Sequence, residues 1–207
     1  MKTIPVGPLS VNCYLSACEQ TKKGMIIDPG DQEEIILRYI EREIDIEYIV
    51  LTHAHVDHLA ATAQLQSKVG GLVCLHSADR FLLENADAQA ELFQLRRPDS
   101  FTIDIDLKEQ HALKIGHYDF QILETPGHSP GGICLYNESS KTCFVGDTLF
   151  YESIGRSDLP GGDHDVLVDS IKNKIYTLPG DTILYPGHGP KTDVEHEKTM
   201  NPFTTRP

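Results

Sequence analysis

Apolar positions along this chain fall into short runs separated by Gly, Pro, Asn and Asp, and those runs set the expected elements. Residues 1–6 and 12–17 alternate between apolar and polar and read as two antiparallel strands, with Gly7-Pro8 at the turn. Residues 24–28 continue that sheet, and Asp28-Pro29-Gly30 ends it. Asp31-x-x-Glu34 is a capping-box pattern, followed by Ile35, Ile36, Tyr39 and Ile40 as one apolar stripe on a helix ending near Glu43. Tyr48-Ile49-Val50-Leu51 and the run 72–76 are uninterrupted and predict strands buried on both faces. Between them, 59–69 carries helix formers and stops at Gly70-Gly71.

The second half repeats the theme. Residues 78–97 predict a helix rich in Leu, Glu and Ala, ending in Arg96-Arg97, a pair expected to be solvated. Short strands are expected over 101–107 and 113–124, then a hairpin of 133–136 with 142–145. An amphipathic helix follows within 161–178, with Asp163 as its N-cap, and 182–185 is a last buried strand. Periodicity alone supports an α/β or α+β class.

The chain has 207 residues, 40% hydrophobic and 24% charged, enough for one sizeable core, and 1–207 is expected to be a single domain. No apolar run approaches the roughly 20 residues of a membrane span, and no charged segment followed by an apolar core opens the chain. A cytoplasmic location, with no membrane partner, is the expectation. The formal net charge of −13 and the lack of a Lys/Arg-rich face count against nucleic acid as a partner. Cys13, Cys18, Cys74, Cys134 and Cys143 include no C-x-x-C pair and read as free thiols in a reducing compartment. A monomer or small homo-oligomer is expected.

The chemistry concentrates where a strand meets a helix, at Thr52-His53-Ala54-His55-Val56-Asp57-His58-Leu59. Imidazole and carboxylate are the donors that suit divalent ions. Four such groups in six positions would crowd one tetrahedral ion, whereas His53/His55 and Asp57/His58 suit two neighbouring ions. His128, Asp147 and His188 each stand beside Gly or Pro just past another predicted strand. Asp28 reads either as a turn aspartate or as a hydrogen-bond acceptor behind the histidine turn. His76, His111 and His117 read as structural or surface histidines.

His53-x-His55-x-Asp57-His58 resembles the signature of the metallo-β-lactamase-fold hydrolases. Thr125-Pro126-Gly127-His128-Ser129, Phe144-Val145-Gly146-Asp147-Thr148-Leu149 and Tyr185-Pro186-Gly187-His188-Gly189 match its later elements in order. The resemblance implies an α+β fold, a four-layered αββα sandwich of two mixed sheets flanked by helices. It also implies that His53, His55 and His128 bind one metal, that Asp57, His58 and His188 bind a second, and that Asp147 bridges them. Zinc is the expected ion, with iron or manganese as alternatives. Such a pair shares a hydroxide that attacks an ester-like carbonyl, with Asp57 orienting it or taking up its proton.

Within that superfamily the chain is most similar to the short, single-domain glyoxalase II-like hydrolases, which implies a small thioester such as S-D-lactoylglutathione. Gly155-Arg156-Ser157-Asp158 carries this resemblance, and Arg156 occupies the place of a residue that contacts a glutathione carboxylate. The alternative for Arg156 is a surface pair with Asp158. Only 19 residues follow His188 (207 − 188), so the C-terminal helical domain of full-length glyoxalase II is not expected. Competing readings are a mononuclear-iron persulfide dioxygenase, a lactone- or lactam-type metallohydrolase, and a nonenzymatic metal-binding module.

Overall fold

A computed structural model describes residues 1–205. Six strands, β1 (Lys2–Val6), β2 (Val11–Ala17), β3 (Lys23–Ile27), β4 (Asp45–Val50), β5 (Leu72–Leu75) and β6 (Ile105–Asp106), form a first sheet in that order. β1 to β3 are antiparallel, and β3 to β6 are parallel. The second sheet contains β7 (Ala112–Ile115), β8 (Tyr118–Glu124), β9 (Ile133–Asn137) and β10 (Thr142–Gly146). A small hairpin of β11 (Leu149–Phe150) and β12 (Ser153–Ile154) stands apart, and β13 (Ile183–Pro186) and β14 (Thr192–Asp193) complete the second sheet. Its order is β14-β13-β10-β9-β8-β7, antiparallel except for the parallel pair β10/β13.

Strand alternation builds the layers, because successive side chains point to opposite faces. In β3, Met25 and Ile27 join one apolar cluster while Ile26 joins another. In β10, Phe144 faces the same inter-sheet cluster as Met25, whereas Cys143 and Val145 face away from it. That inter-sheet cluster is the centre of the molecule. The outer face of the first sheet packs on α1 (Glu33–Tyr39), α2 (Thr62–Val69), α3 (Arg80–Glu84) and α4 (Ala86–Phe93), through residues such as Ile36, Leu65, Leu82 and Ala86. The outer face of the second packs on α5 (His164–Ser170), its π-helical continuation Ile171–Ile175, and α6 (Val194–Met200), through Leu167, Ile171, Ile175 and Val194. Helix, sheet, sheet, helix is the αββα sandwich expected from the resemblance.

Several local expectations are corrected. Gln32 takes the left-handed conformation (φ 53°, ψ 52°) at the start of α1, and no side chain caps it. Asp31 instead accepts from the Gln32 amide and from Arg96 Nη1, at 2.7 and 3.2 Å, and α1 stops at Tyr39 rather than near Glu43. Arg96 also donates to Glu33 Oε2 at 2.7 Å, so it clamps α1 rather than standing in solvent. The helix expected over 78–97 is broken at Asn85, whose backbone (φ −104°, ψ 16°) leaves the helical region. Only Ile105–Asp106 of 101–107 pairs as strand, and 113–124 is two strands turning at Gly116. The α6 helix, which carries no long apolar stripe, was not expected. Asp163 does cap α5, accepting from the Val166 amide at 3.1 Å.

The ring of Phe144 lies 5.0 Å from that of Tyr14 and 5.5 Å from that of Tyr185, filling the space between the sheets. Phe144→Ala is expected to lower unfolding stability by about 3–5 kcal/mol, read from the midpoint of a urea denaturation curve.

Candidate metal centre

The strand ends that carry the candidate ligands meet at one edge of the sandwich. In the first sheet β3 leads to Asp28 and β4 to His53–His58. In the second, β8 leads to His128, β10 to Asp147 and β13 to His188. Histidine and aspartate side chains there form three overlapping groups, each with ligand atoms within 4.8 Å: His53/His55/His128, Asp57/His58/His188 and His53/His58/Asp147. All seven side chains singled out in the sequence are therefore brought together. His128 Nε2 lies 2.9 Å from His55 Nδ1 and 3.2 Å from His53 Nε2. Asp147 joins the two ends, with Oδ2 3.7 Å from His128 Nε2 and 3.6 Å from His188 Nε2.

Partners outside the cluster decide how these rings are protonated. His128 Nδ1 donates to the Arg156 carbonyl at 2.7 Å, and His188 Nδ1 to the Leu9 carbonyl at 3.0 Å. His58 Nδ1 donates to Asp28 Oδ2 at 3.1 Å. Thr52 Oγ1 gives its own proton to Asp28 Oδ2 at 2.7 Å, so it accepts from His53 Nδ1 at 3.0 Å. With Nδ1 spent as the donor, each of these rings in its neutral form presents a bare Nε2 lone pair to the cluster. Two such nitrogens 3.2 Å apart have no proton to share, so they repel unless a cation lies between them. Tetrahedral ligands at about 2.0–2.1 Å from an ion stand about 3.3 Å from one another, close to these separations. Buried His58 Nε2 and Asp147 Oδ1 have no hydrogen-bond partner among the described residues. The donor set fits metal, and the His/Asp cluster suggests a dinuclear site.

Electrostatics point the same way. Burial, with the neighbouring histidines, pushes His53 well below the usual imidazole range and His55 down to about 3, so both stay neutral. His58 is raised, because Asp147, Asp57 and Asp28 outweigh the burial that opposes its charge. Asp147 is held far below the ordinary carboxylate range despite its burial, chiefly by His58. Excess negative charge thus collects on the Asp57/His58/Asp147 side, as a cation requires.

Glycine allows this close approach. A Cβ on Gly187 would stand 2.1 Å from Asp147 Oδ1 and 2.7 Å from His58 Cε1, so no larger residue fits there.

The predicted Arg156 side chain lies apart from the cluster. It forms a bidentate pair with Asp158, Nε to Oδ1 and Nη2 to Oδ2 both at 2.8 Å, on an exposed turn. Only its carbonyl reaches the site, through His128.

Comparison with known proteins agrees with this geometry. Residues 6–188 match the model of the metallo-beta-lactamase superfamily. The chain belongs to that superfamily. It is 37% identical over 206 residues to a protein from Haemophilus influenzae named hydroxyacylglutathione hydrolase GloC, covering 98% of this chain and 97% of that one. Solved structures similar to it include the BLEG-1 B3 metallo-beta-lactamase, with a TM-score of 0.92, 38% identity and 99% of each chain covered. TTHA1623 in a di-iron-bound form is another, with a TM-score of 0.87, 36% identity, and 98% of this chain and 100% of that one covered. Superfamily membership supports a metal-dependent hydrolase.

Sequence reasoning missed the residues that hold the site loops of this superfamily member. Asp79, fully buried, accepts from the Ala54 amide (3.0 Å), Ser129 Oγ (2.8 Å) and the Gly131 amide (2.6 Å), tying the turn of β4 to the turn of β8. Burial raises its pKa, against those three donors. Asn12 Nδ2 donates to the Pro186 and Gly189 carbonyls at 3.0 and 2.9 Å, and Tyr14 Oη to Pro186 O at 2.6 Å, fixing the turn that carries His188. A polar Asn12 inside an apolar strand was the one available signal.

Asp28, whose two roles stood open in the sequence, is 1% exposed and accepts from the Thr52 amide, the Thr52 hydroxyl and His58. Asp28→Ala is expected to weaken metal binding by about 10- to 100-fold, measured by competition with a chromophoric chelator. In the same variant, the rise in Tm that saturating metal brings to the wild type should shrink.

Proposed function

We propose that the protein hydrolyses a small thioester, S-D-lactoylglutathione or a related acyl-glutathione, using two divalent ions. The observation that carries this is the convergence of the seven His and Asp side chains, with four of the five imidazoles oriented by partners outside the cluster. His53, His55 and His128 would hold one ion and Asp57, His58 and His188 the other, with Asp147 within reach of both groups. Bound there, such ions polarise a carbonyl and make water nucleophilic near neutral pH. The donor set suits zinc, iron or manganese, and one similar structure is described as di-iron-bound.

The remaining work falls to the chain. Asp57 Oδ2 lies 3.4 Å from His188 Nε2 and stays ionised, because His58 and His188 outweigh its burial. It is the group placed to accept the proton of an attacking water. The glutathione assignment is supported by the relative named as a hydroxyacylglutathione hydrolase and by the Gly155-Arg156-Ser157-Asp158 resemblance. For Arg156 to grip a substrate carboxylate it must leave Asp158, and an exposed pair of this kind gives it up at little cost. This reading takes 1–207 as one domain, a monomer or small homo-oligomer acting in the cytoplasm on a small molecule rather than on nucleic acid or a membrane. Among the described residues, no helix is long and apolar enough to cross a membrane.

Lactam hydrolysis is the second reading, favoured by the 38% identity to a structure named as a B3 metallo-beta-lactamase. Elemental analysis of purified protein, with assays on S-D-lactoylglutathione, a cephalosporin and glutathione persulfide, separates the readings. Thioester turnover with two metals per chain is the expected result, and oxygen uptake with one iron per chain would replace it with a dioxygenase.

His55→Ala and Asp147→Ala should each bring thioester hydrolysis to background and lower the metal bound per chain. Arg156→Ala should raise KM for glutathione thioesters with kcat retained, as loss of a uniform binding contact does. An unchanged KM would remove Arg156 from substrate binding.

A further inference from the structure

Beside the metal centre runs a groove of about 380 Å³. One wall is the bend of α3 into α4, and the other is Leu159-Pro160, on the turn that follows Asp158. Its size falls within the range of small-molecule sites. It is continuous with the cluster through one ring: His55 lines the groove, while its Nδ1 stands 2.9 Å from His128 Nε2.

The lining is apolar for a reason that can be followed atom by atom. Phe81, Leu92 and Phe93 are large hydrophobic side chains left open to solvent, Leu92 to 72% of its surface. Scattered exposed leucines need no explanation, but three such side chains around one concavity do. Both amides in the wall make hydrogen bonds within the chain. Gln89 accepts from the Val56 amide at 3.2 Å and donates to the Leu82 carbonyl at 2.8 Å, and Asn85 Nδ2 donates to the Phe81 carbonyl at 2.6 Å. Among the described residues, no Lys, Arg, Asp or Glu lines it. The opposite wall is held in place, because a Cβ on Gly161 would stand 2.8 Å from Phe81 Cζ, which packs that turn directly against α3.

Resting on the thioesterase reading above, we propose that this groove takes the hydrocarbon chain of the acyl group, so that the preferred substrates are thioesters of medium-length apolar acids. The charged glutathione moiety finds no counter-charge there, which leaves the acyl end as the part that fits. A lactoyl group is too short to fill the groove and would leave most of its apolar wall facing water.

The test separates this inference from the reading beneath it. Binding of S-methyl-, S-butyl-, S-hexyl- and S-octylglutathione, thioethers that are not hydrolysed, is measured by calorimetry on the metal-loaded protein. Affinity should rise about three- to fourfold per added methylene, the gain from burying each one. Ala88→Trp, at an exposed position on the α4 wall, should flatten that series with its circular dichroism unchanged. An affinity independent of chain length in the wild type overturns the proposal, as does a slope that Ala88→Trp leaves intact. In parallel, kcat/KM on acetyl- to octanoyl-glutathione should climb with chain length. If no thioester turns over at all, the function proposed above fails, while the thioether series still decides what the groove accepts.

Discussion

Several imidazole lone pairs aimed at one small volume repel one another, and the rest of this structure is arranged around holding them there. The hold comes from behind. Asp28, on a left-handed backbone (φ 50°), accepts from Thr52 and His58 and, through the Thr52 hydroxyl, orients His53. The Arg156 and Leu9 carbonyls do the same for His128 and His188. A carboxylate as buried as Asp28 is costly unless its oxygens are satisfied, and the histidine turn satisfies them. The turn and the aspartate therefore need each other, independently of any ion.

Topology explains why all these groups share one edge. β3, β4, β5 and β6 run parallel, so the segments following each emerge on the same side of the first sheet. In the second sheet β9 is antiparallel to both β8 and β10, and β13 is parallel to β10, so β8, β10 and β13 also end on a common side. Ligands in open α/β sheets collect beyond the carboxyl ends of strands for this reason. Asp79 then sews the two sheets' turns together with three hydrogen bonds.

How much of this was legible in the sequence follows from the range of each interaction. The apolar runs of β3, β4, β5, β9 and β10 are local patterns that predicted strands and a mixed α and β class, while the four layers were expected from the family resemblance. The seven His and Asp residues could be picked out because each sits at a turn after a readable strand. Asp79 could not, since nothing near it in sequence reveals that its partners lie at 54, 129 and 131. The break at Asn85 was hidden because 78–97 is rich in helix formers throughout, and the interruption serves a tertiary wall rather than a local preference. The false capping box arose because Arg96, 65 residues away, competes for Asp31. For α6, seven residues with Val194 and Glu197 as the buried positions give too short an apolar stripe; Glu197 instead accepts from Thr192, Asn201 and the Glu152 amide.

These two kinds of legibility coincide with two kinds of element. The groups that would do the chemistry sit on turns locked by buried hydrogen bonds from both sheets, where a change in one ring disturbs its neighbours. The apolar wall stands on α3, α4 and the turn at 159–162, which touch the cluster mainly through His55 and Gln89. Substituting the wall costs contacts with solvent-facing side chains such as Leu92, not the hydrogen bonds that orient the imidazoles. A fold divided this way can alter which substrate it admits without rebuilding the centre that acts on it. On that argument, likeness across the whole superfamily speaks to the reaction type, and the side chains of the wall speak to the substrate.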